Sequence, residues 1–222
     1  MQKISIAIDG PAGAGKSTIA KKIAKELGII YLDTGAMYRT VALKALKEGI
    51  STSDKENLTE LVQNIDMRIS YIGDEQRIFL DNEDVSQKIR TPEVSKGASD
   101  VAVIPEVRLK MVELQRKISD ENSVVMDGRD IGTYVLPNAS LKIFLTASVD
   151  ERAKRRYNEQ REKGIEITLD EVKKEIIYRD KNDSEREFAP LKKADDAIEI
   201  DTTNLSINEV VDRIISLVRE LK

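Results

Sequence analysis

The sequence predicts an α/β fold: a parallel sheet flanked by helices on both faces, with a small antiparallel β insertion. Three observations point to it. Short, nearly continuous apolar runs recur along the chain, the pattern of strands buried on both faces. Amphipathic segments with helix-starting punctuation lie between these runs. A glycine-rich stretch, Asp9-Gly10-Pro11-Ala12-Gly13-Ala14-Gly15-Lys16-Ser17-Thr18, follows the first run directly, as a strand-to-helix turn would.

In chain order, the first strand is read at 3–8. The helix after it carries Ile19, Ile23 and Leu27 at spacing four, and Gly28 is placed to cap its C-terminus. A second strand is read at 29–33. Residues 67–72 and 76–80 flank Gly73-Asp74 and read as an antiparallel hairpin, most simply an insertion between two βα units. Thr91-Pro92 marks an N-cap followed by a first-turn proline, with helices near 92–102 and 105–120. Further strands are read at 123–127, 140–145 and 196–201. Capping boxes at Ser148–Glu151, Thr168–Glu171 and Ser206–Glu209 each open an amphipathic, charged segment.

The chain has 222 residues, 40% of them hydrophobic and 34% charged, so it can bury a sizeable core. Without repeats, low-complexity tracts or a flexible linker, one domain spanning 1–222 is expected. A net charge of −4 and 4% aromatic residues argue against nucleic-acid and anionic-membrane partners. The absence of cysteine rules out disulfides and thiolate metal sites. The opening apolar run is short and ends at Asp9, and no stretch reaches the ~18 apolar residues that suggest a membrane span, so a cytoplasmic location is expected. Histidine is also absent. Any chemistry must therefore proceed without imidazole as base or metal ligand, which suits a nucleophile that is already ionised.

Gly10-Pro11-Ala12-Gly13-Ala14-Gly15-Lys16-Ser17 fits G-x-x-x-x-G-K-[ST]. Glycines let backbone N–H groups turn inward with no Cβ in the way, and the following helix aims its positive end at the same point. Lys16 would reach the β- and γ-phosphates, and Ser17 would ligate Mg²⁺ directly. Nucleoside triphosphate binding is the expectation.

Three classes of P-loop protein compete. A GTPase needs Asn/Thr-Lys-x-Asp after a strand; the nearest match, Asp180-Lys181-Asn182-Asp183, begins with the wrong residue in a helical stretch. A motor ATPase carries a glutamate base near an acidic strand end. Here Val124-Val125-Met126-Asp127 runs into Gly128-Arg129-Asp130 instead, where Asp127 either holds Mg²⁺ through water or caps the turn. A small-molecule kinase needs cations converging on two phosphate-bearing substrates. Arg39, Arg108, Arg129, Arg152, Arg155, Arg156, Arg179 and Arg186 are candidates, each alone as readily a solvated residue. Arg152, Arg155 and Arg156 fall at helical spacing, as a lid over ATP or as partners of Glu151 and Glu159.

Beyond the P-loop, Asp33-Thr34-Gly35-Ala36-Met37-Tyr38-Arg39, Ile89-Arg90-Thr91-Pro92-Glu93-Val94, Asp127-Gly128-Arg129-Asp130 and Tyr178-Arg179-Asp180 through Ala189-Pro190-Leu191 follow in an order that resembles the bacterial cytidylate kinases. These belong to the P-loop nucleoside monophosphate kinases. The resemblance spans roughly residues 3 to 220. It implies a five-stranded P-loop kinase fold, a monophosphate-binding insertion at about 64–100 and a short helical lid at about 150–166. The implied activity is ATP-dependent phosphorylation of CMP and dCMP with Mg²⁺, by a monomer. A broader UMP/CMP kinase and a non-catalytic nucleotide-binding regulator are the alternatives.

Roles follow from the same resemblance. Gly10, Pro11, Ala12, Gly13, Ala14, Gly15, Lys16, Ser17 and Thr18 would hold the ATP phosphates, with Arg156 above them. Arg39, Arg129 and Arg186 would hold the monophosphate's phosphate, and Arg179 and Asp183 its ribose. Ser99, Arg108 and Asp130 would read cytosine; Asp33, Thr34 and Tyr38 complete the expected acceptor site. Thr34 stands where the family often has serine. A carboxylate such as Asp130 accepts from the cytosine amine but repels the uracil oxygen.

Overall fold

The computed structural model describes residues 3–73, 75–162 and 164–221. Asp74, in the expected hairpin turn, and Lys163, in the expected lid, lie outside the described residues, as do Met1, Gln2 and Lys222 of the expected 1–222 domain.

Strand β1 (Ser5–Asp9) leads through the P-loop into α1 (Lys16–Leu27), then β2 (Ile30–Asp33) and α2 (Thr34–Lys47). Helix α3 (Lys55–Gln63) precedes an antiparallel set: β3 (Met67–Ile72), β4 (Glu75–Leu80) and β5 (Glu83–Asp84). A 3₁₀ turn (Lys88–Arg90), α4 (Pro92–Val101) and α5 (Pro105–Glu121) follow. The chain returns as β6 (Val124–Gly128), a π-helical turn (Ile131–Val135) and β7 (Leu141–Thr146). Helices α6 (Val149–Glu162) and α7 (Leu169–Glu185), β8 (Ile198–Asp201) and α8 (Ile207–Glu220) complete it.

The five-stranded sheet has the order β2-β6-β1-β7-β8, and its paired strands are all parallel. Its residues alternate between two cores. Ala7, Leu32, Val124 and Met126 face α2, α4 and α5, whereas Ile6, Ile8, Val125 and Ile143 face α1 and α8. This two-sided burial is why the strands read as apolar runs. The switch in strand order lies beside β1, so its C-terminal end, carrying the P-loop, opens into the crevice where doubly wound sheets bind ligands.

The hairpin pairs Met67 with Leu80 through Ile72 with Glu75. It meets the edge strand β2 through side chains. Gln76 Oε1 accepts from Asp33 N at 2.7 Å, and Tyr71 OH donates to Tyr31 O at 3.2 Å, so both occupy polar groups of an otherwise open edge. Thr168 and Ser206 form complete capping boxes. The third expected box is half made: Ser148 Oγ accepts from Glu151 N, but the Glu151 carboxylate takes Arg155 Nε at 3.0 Å.

Candidate active site

The P-loop is shaped by its neighbours. Gly10 has φ 146° beside β7, where a Cβ would lie 2.0 Å from Leu145 O. That contact forbids any other residue. The Lys16 ammonium folds back to donate to Pro11 O at 2.7 Å. Burial, and next the nearby Arg129, push its pKa well below the lysine range. Ser17 Oγ donates to Asp127 Oδ2 at 2.8 Å, and Tyr31 OH donates to Oδ1 of the same carboxylate at 2.8 Å. Burial and the facing Asp33 raise the Asp127 pKa.

One cleft of about 2080 Å³ is lined by every expected site residue except Gly10 and Pro11, the first two residues of the P-loop. At the C-terminal end of β2, Asp33 is a hub of the cleft. Its carboxylate caps α2 through Ala36 N at 2.8 Å and pairs with Arg39 at 2.9 Å and Arg90 at 3.1 Å. Burial alone would raise its pKa, but the two guanidiniums hold it below the ordinary value. Thr34 Oγ1 donates to Asp127 O at 2.7 Å, so this hydroxyl serves the backbone here rather than a base or phosphate.

Deeper in, Asp130 accepts from Arg108 through Oδ2 and from Arg186 through Oδ1 at 3.2 Å. The Arg108 guanidinium carbon lies 5.4 Å from the centroid of the Tyr38 ring, a cation–π distance. Arg129 Nε donates to Asp183 Oδ2 at 2.6 Å, and Arg186 Nη1 stands 3.6 Å from Asp183 Oδ1. Ser99 Oγ accepts from Asn182 at 3.4 Å. Arg179 lines the same cleft with its Nε shielded and unpartnered among the described residues. Burial and the adjacent Arg129 lower its pKa to about 10.

The three arginines at helical spacing on α6 part company. Arg156 pairs with Glu159 at 2.9 Å on the cleft, and Arg155 donates to Thr202 O at 2.6 Å. Arg152 is drawn beneath the P-loop, where it donates to Ala12 O at 2.8 Å. Several site groups were not singled out from the sequence. Arg90 stands within the quoted Ile89–Val94 motif, and its basic character beside a proline-started helix was the available signal. Gln76 and Tyr31 carried none, because their partners are distant in sequence.

A parallel sheet in this strand order, with a P-loop at its switch point and guanidiniums lining the adjoining cleft, defines a P-loop kinase fold. A gluconokinase from Sinorhizobium meliloti 1021 shares it with a TM-score of 0.52, covering 99% of this chain and 95% of that one at 13% identity, a likeness of fold alone. The family model for cytidylate kinase matches residues 6–220, and the chain belongs to that family. A cytidylate kinase of Caldicellulosiruptor bescii is 55% identical over 217 residues, 98% of this chain and 96% of the relative. One of Bacillus cytotoxicus is 54% identical over 219 residues, 99% and 97% of the two chains.

Proposed function

We propose that this protein transfers the γ-phosphoryl group of ATP to the phosphate oxygen of CMP and dCMP, yielding ADP with CDP or dCDP. The observation that carries this reading is a single cleft lined both by the P-loop lysine and by Arg39, Arg129, Arg179 and Arg186. The acceptor phosphate is already anionic, so no general base is required, in keeping with a histidine-free chain. The P–O bond to the β-phosphate breaks as the bond to the acceptor oxygen forms. Lys16 and the guanidiniums hold both ends in line and offset the charge.

In this reading the residues from Gly10 to Thr18 form the cradle of the ATP phosphates, with Ala12 N–H engaged by Asp180 and Pro11 carrying no N–H; Arg156 covers the phosphates, and Arg179 and Asp183 face the ribose. Asp130, Arg108 and Ser99 read the base, while Asp33, Thr34 and Tyr38 shape the acceptor wall. The Ser17 hydroxyl and Asp127 carboxylate, 2.8 Å apart at the P-loop, are hard oxygen donors that fit Mg²⁺. Among the described residues no three acidic groups form a metal cage, which suits an ion carried mainly by the nucleotide phosphates. Bound Mg²⁺ would supply charge neutralisation there, with Ser17 as ligand and Asp127 orienting it through water.

The segments 64–100 and 150–166 are read as an insertion and lid that close to exclude water. The enzyme is read as a cytoplasmic monomer that engages neither nucleic acid nor membrane; among the described residues no helix is long and apolar enough to cross one. A panel of CMP, dCMP, UMP and AMP with ATP and Mg²⁺ tests the reading: diphosphate should form fastest from CMP or dCMP. Preference for UMP, or no diphosphate at all, overturns it.

A further inference from the structure

Three successive residues of α7 face three different parts of the molecule, because each step around an α-helix turns about 100°. Tyr178 OH donates to Asp100 on α4 at 3.2 Å, and Arg179 lines the cleft. Asp180 turns to the P-loop. Its Oδ1 accepts from Ala12 N at 3.1 Å, while its Oδ2 pairs with Arg152 Nη1 at 2.6 Å. The same Arg152 nitrogen donates to Ala12 O at 2.8 Å, and Arg152 Nε donates to Ala147 O at 2.9 Å. One P-loop residue is thus gripped at both its N–H and its C=O. A Cβ on Gly13 would lie 3.1 Å from both Arg152 Cβ and Arg152 O, so the first turn of α6 sits directly on the loop. Arg152 is 4% exposed, so this is a buried charged contact.

We propose that Asp180 and Arg152 are positioning residues that lock Ala12 of the P-loop to α6 and α7, so that the triphosphate cradle and the neighbouring Arg179 and Asp183 are set in register as one unit. The inference rests on the kinase reading above. A carboxylate on Ala12 N–H orients that peptide, and the arginine closes the ring by neutralising the carboxylate and holding the carbonyl. Neither side chain needs to touch a reacting atom.

Asp180→Asn keeps an acceptor for Ala12 N–H but sets an amide against the Arg152 guanidinium; Arg152→Met keeps the stem and removes the donors. Each should raise the dissociation constant for MgATP about tenfold by calorimetry and lower kcat about tenfold. The double variant should be no worse than twofold beyond the weaker single, since both act through one contact. Arg152→Lys should recover part of the loss. Lys173→Met, which removes an exposed α6–α7 ion pair to Asp150, is the control and should leave both constants unchanged. Lowered melting temperatures with wild-type MgATP affinity and kcat in both single variants, or losses that simply multiply in the double, would overturn the lock. Calorimetry needs no acceptor, so a wild-type protein that binds MgATP yet makes no CDP would sink the kinase reading and leave this test intact.

Discussion

The hydroxyl of Ser17 donates to the carboxylate of Asp127 across 2.8 Å, tying the first turn of α1 to the end of β6. Two segments 110 residues apart in sequence thereby present adjacent oxygens where the triphosphate would lie. Asp127→Asn should raise the Mg²⁺ concentration for half-maximal activity by ~10-fold or more, because an outer partner orienting a metal ligand is typically worth 10–100-fold in affinity. A Mg²⁺ titration checks this, and an unchanged midpoint would return Asp127 to a purely structural part.

Lys16→Ala should lower kcat by on the order of 10²-fold or more, the usual scale for removing a preorganised charge at a reacting group. The Lys16 ammonium contacts Pro11 O rather than a carboxylate, so the fold should survive. Steady-state rates alongside thermal melting separate the two effects.

Asp130→Asn should erode the preference for CMP over UMP by ~10-fold or more, since an amide can donate to the uracil oxygen that a carboxylate repels. Paired kcat/KM values for CMP and UMP decide it. An unchanged ratio would remove Asp130 from base reading.

Arg179 has a shielded Nε without a partner among the described residues. Arg179→Met should cost on the order of 10²-fold in kcat/KM for CMP with little loss of melting temperature, because its shielded Nε has no partner to lose among the described residues. A lower melting temperature with normal kinetics would contradict both halves.

Asp9 accepts from Ile131 N at 2.8 Å and Gly132 N at 2.7 Å, yet burial pushes its pKa up to about 6. The unfolded chain releases this proton first, so the group's contribution to stability declines as pH rises from about 4 to about 6, by about 3 kcal/mol in all. Asp33 runs the other way. Its pKa is lowered in the fold, so its contribution is present at neutral pH and lost as pH falls through the folded pKa. A carboxyl ¹³C titration of Asp9 with a midpoint below 5 would contradict the assignment.

Much of the scaffold was legible. The five parallel strands fell within a residue or two of their expected limits because burial on both faces leaves an apolar run that needs no partner to be recognised. The short strand β5 was not foreseen. Its signal was Asp81-Asn82, which take φ of 50° and 65° in a two-residue turn that such short polar side chains tolerate. Helices α2 and α3 and the π-helical turn were also missed; in the last of these Asp9, from the far end of β1, accepts the N–H groups of Ile131 and Gly132.

The P-loop, its phosphate-binding chemistry and the α/β alternation follow from local patterns, because glycine spacing, capping residues and apolar periodicity act within a few positions along the chain. The pairs Arg155–Glu151 and Arg156–Glu159 follow from helical spacing in the same way, whereas the long-range partners of the arginines do not. Arg152, Arg155 and Arg156 share helical spacing, yet Arg152 is buried against the P-loop, while Arg155, bound to Thr202, and Arg156, paired with Glu159, both line the cleft. The burial of Arg152 against the P-loop and the Arg155–Thr202 contact are settled by tertiary packing, since the long-range partner of a charged side chain depends on what the fold brings within about 3 Å of it.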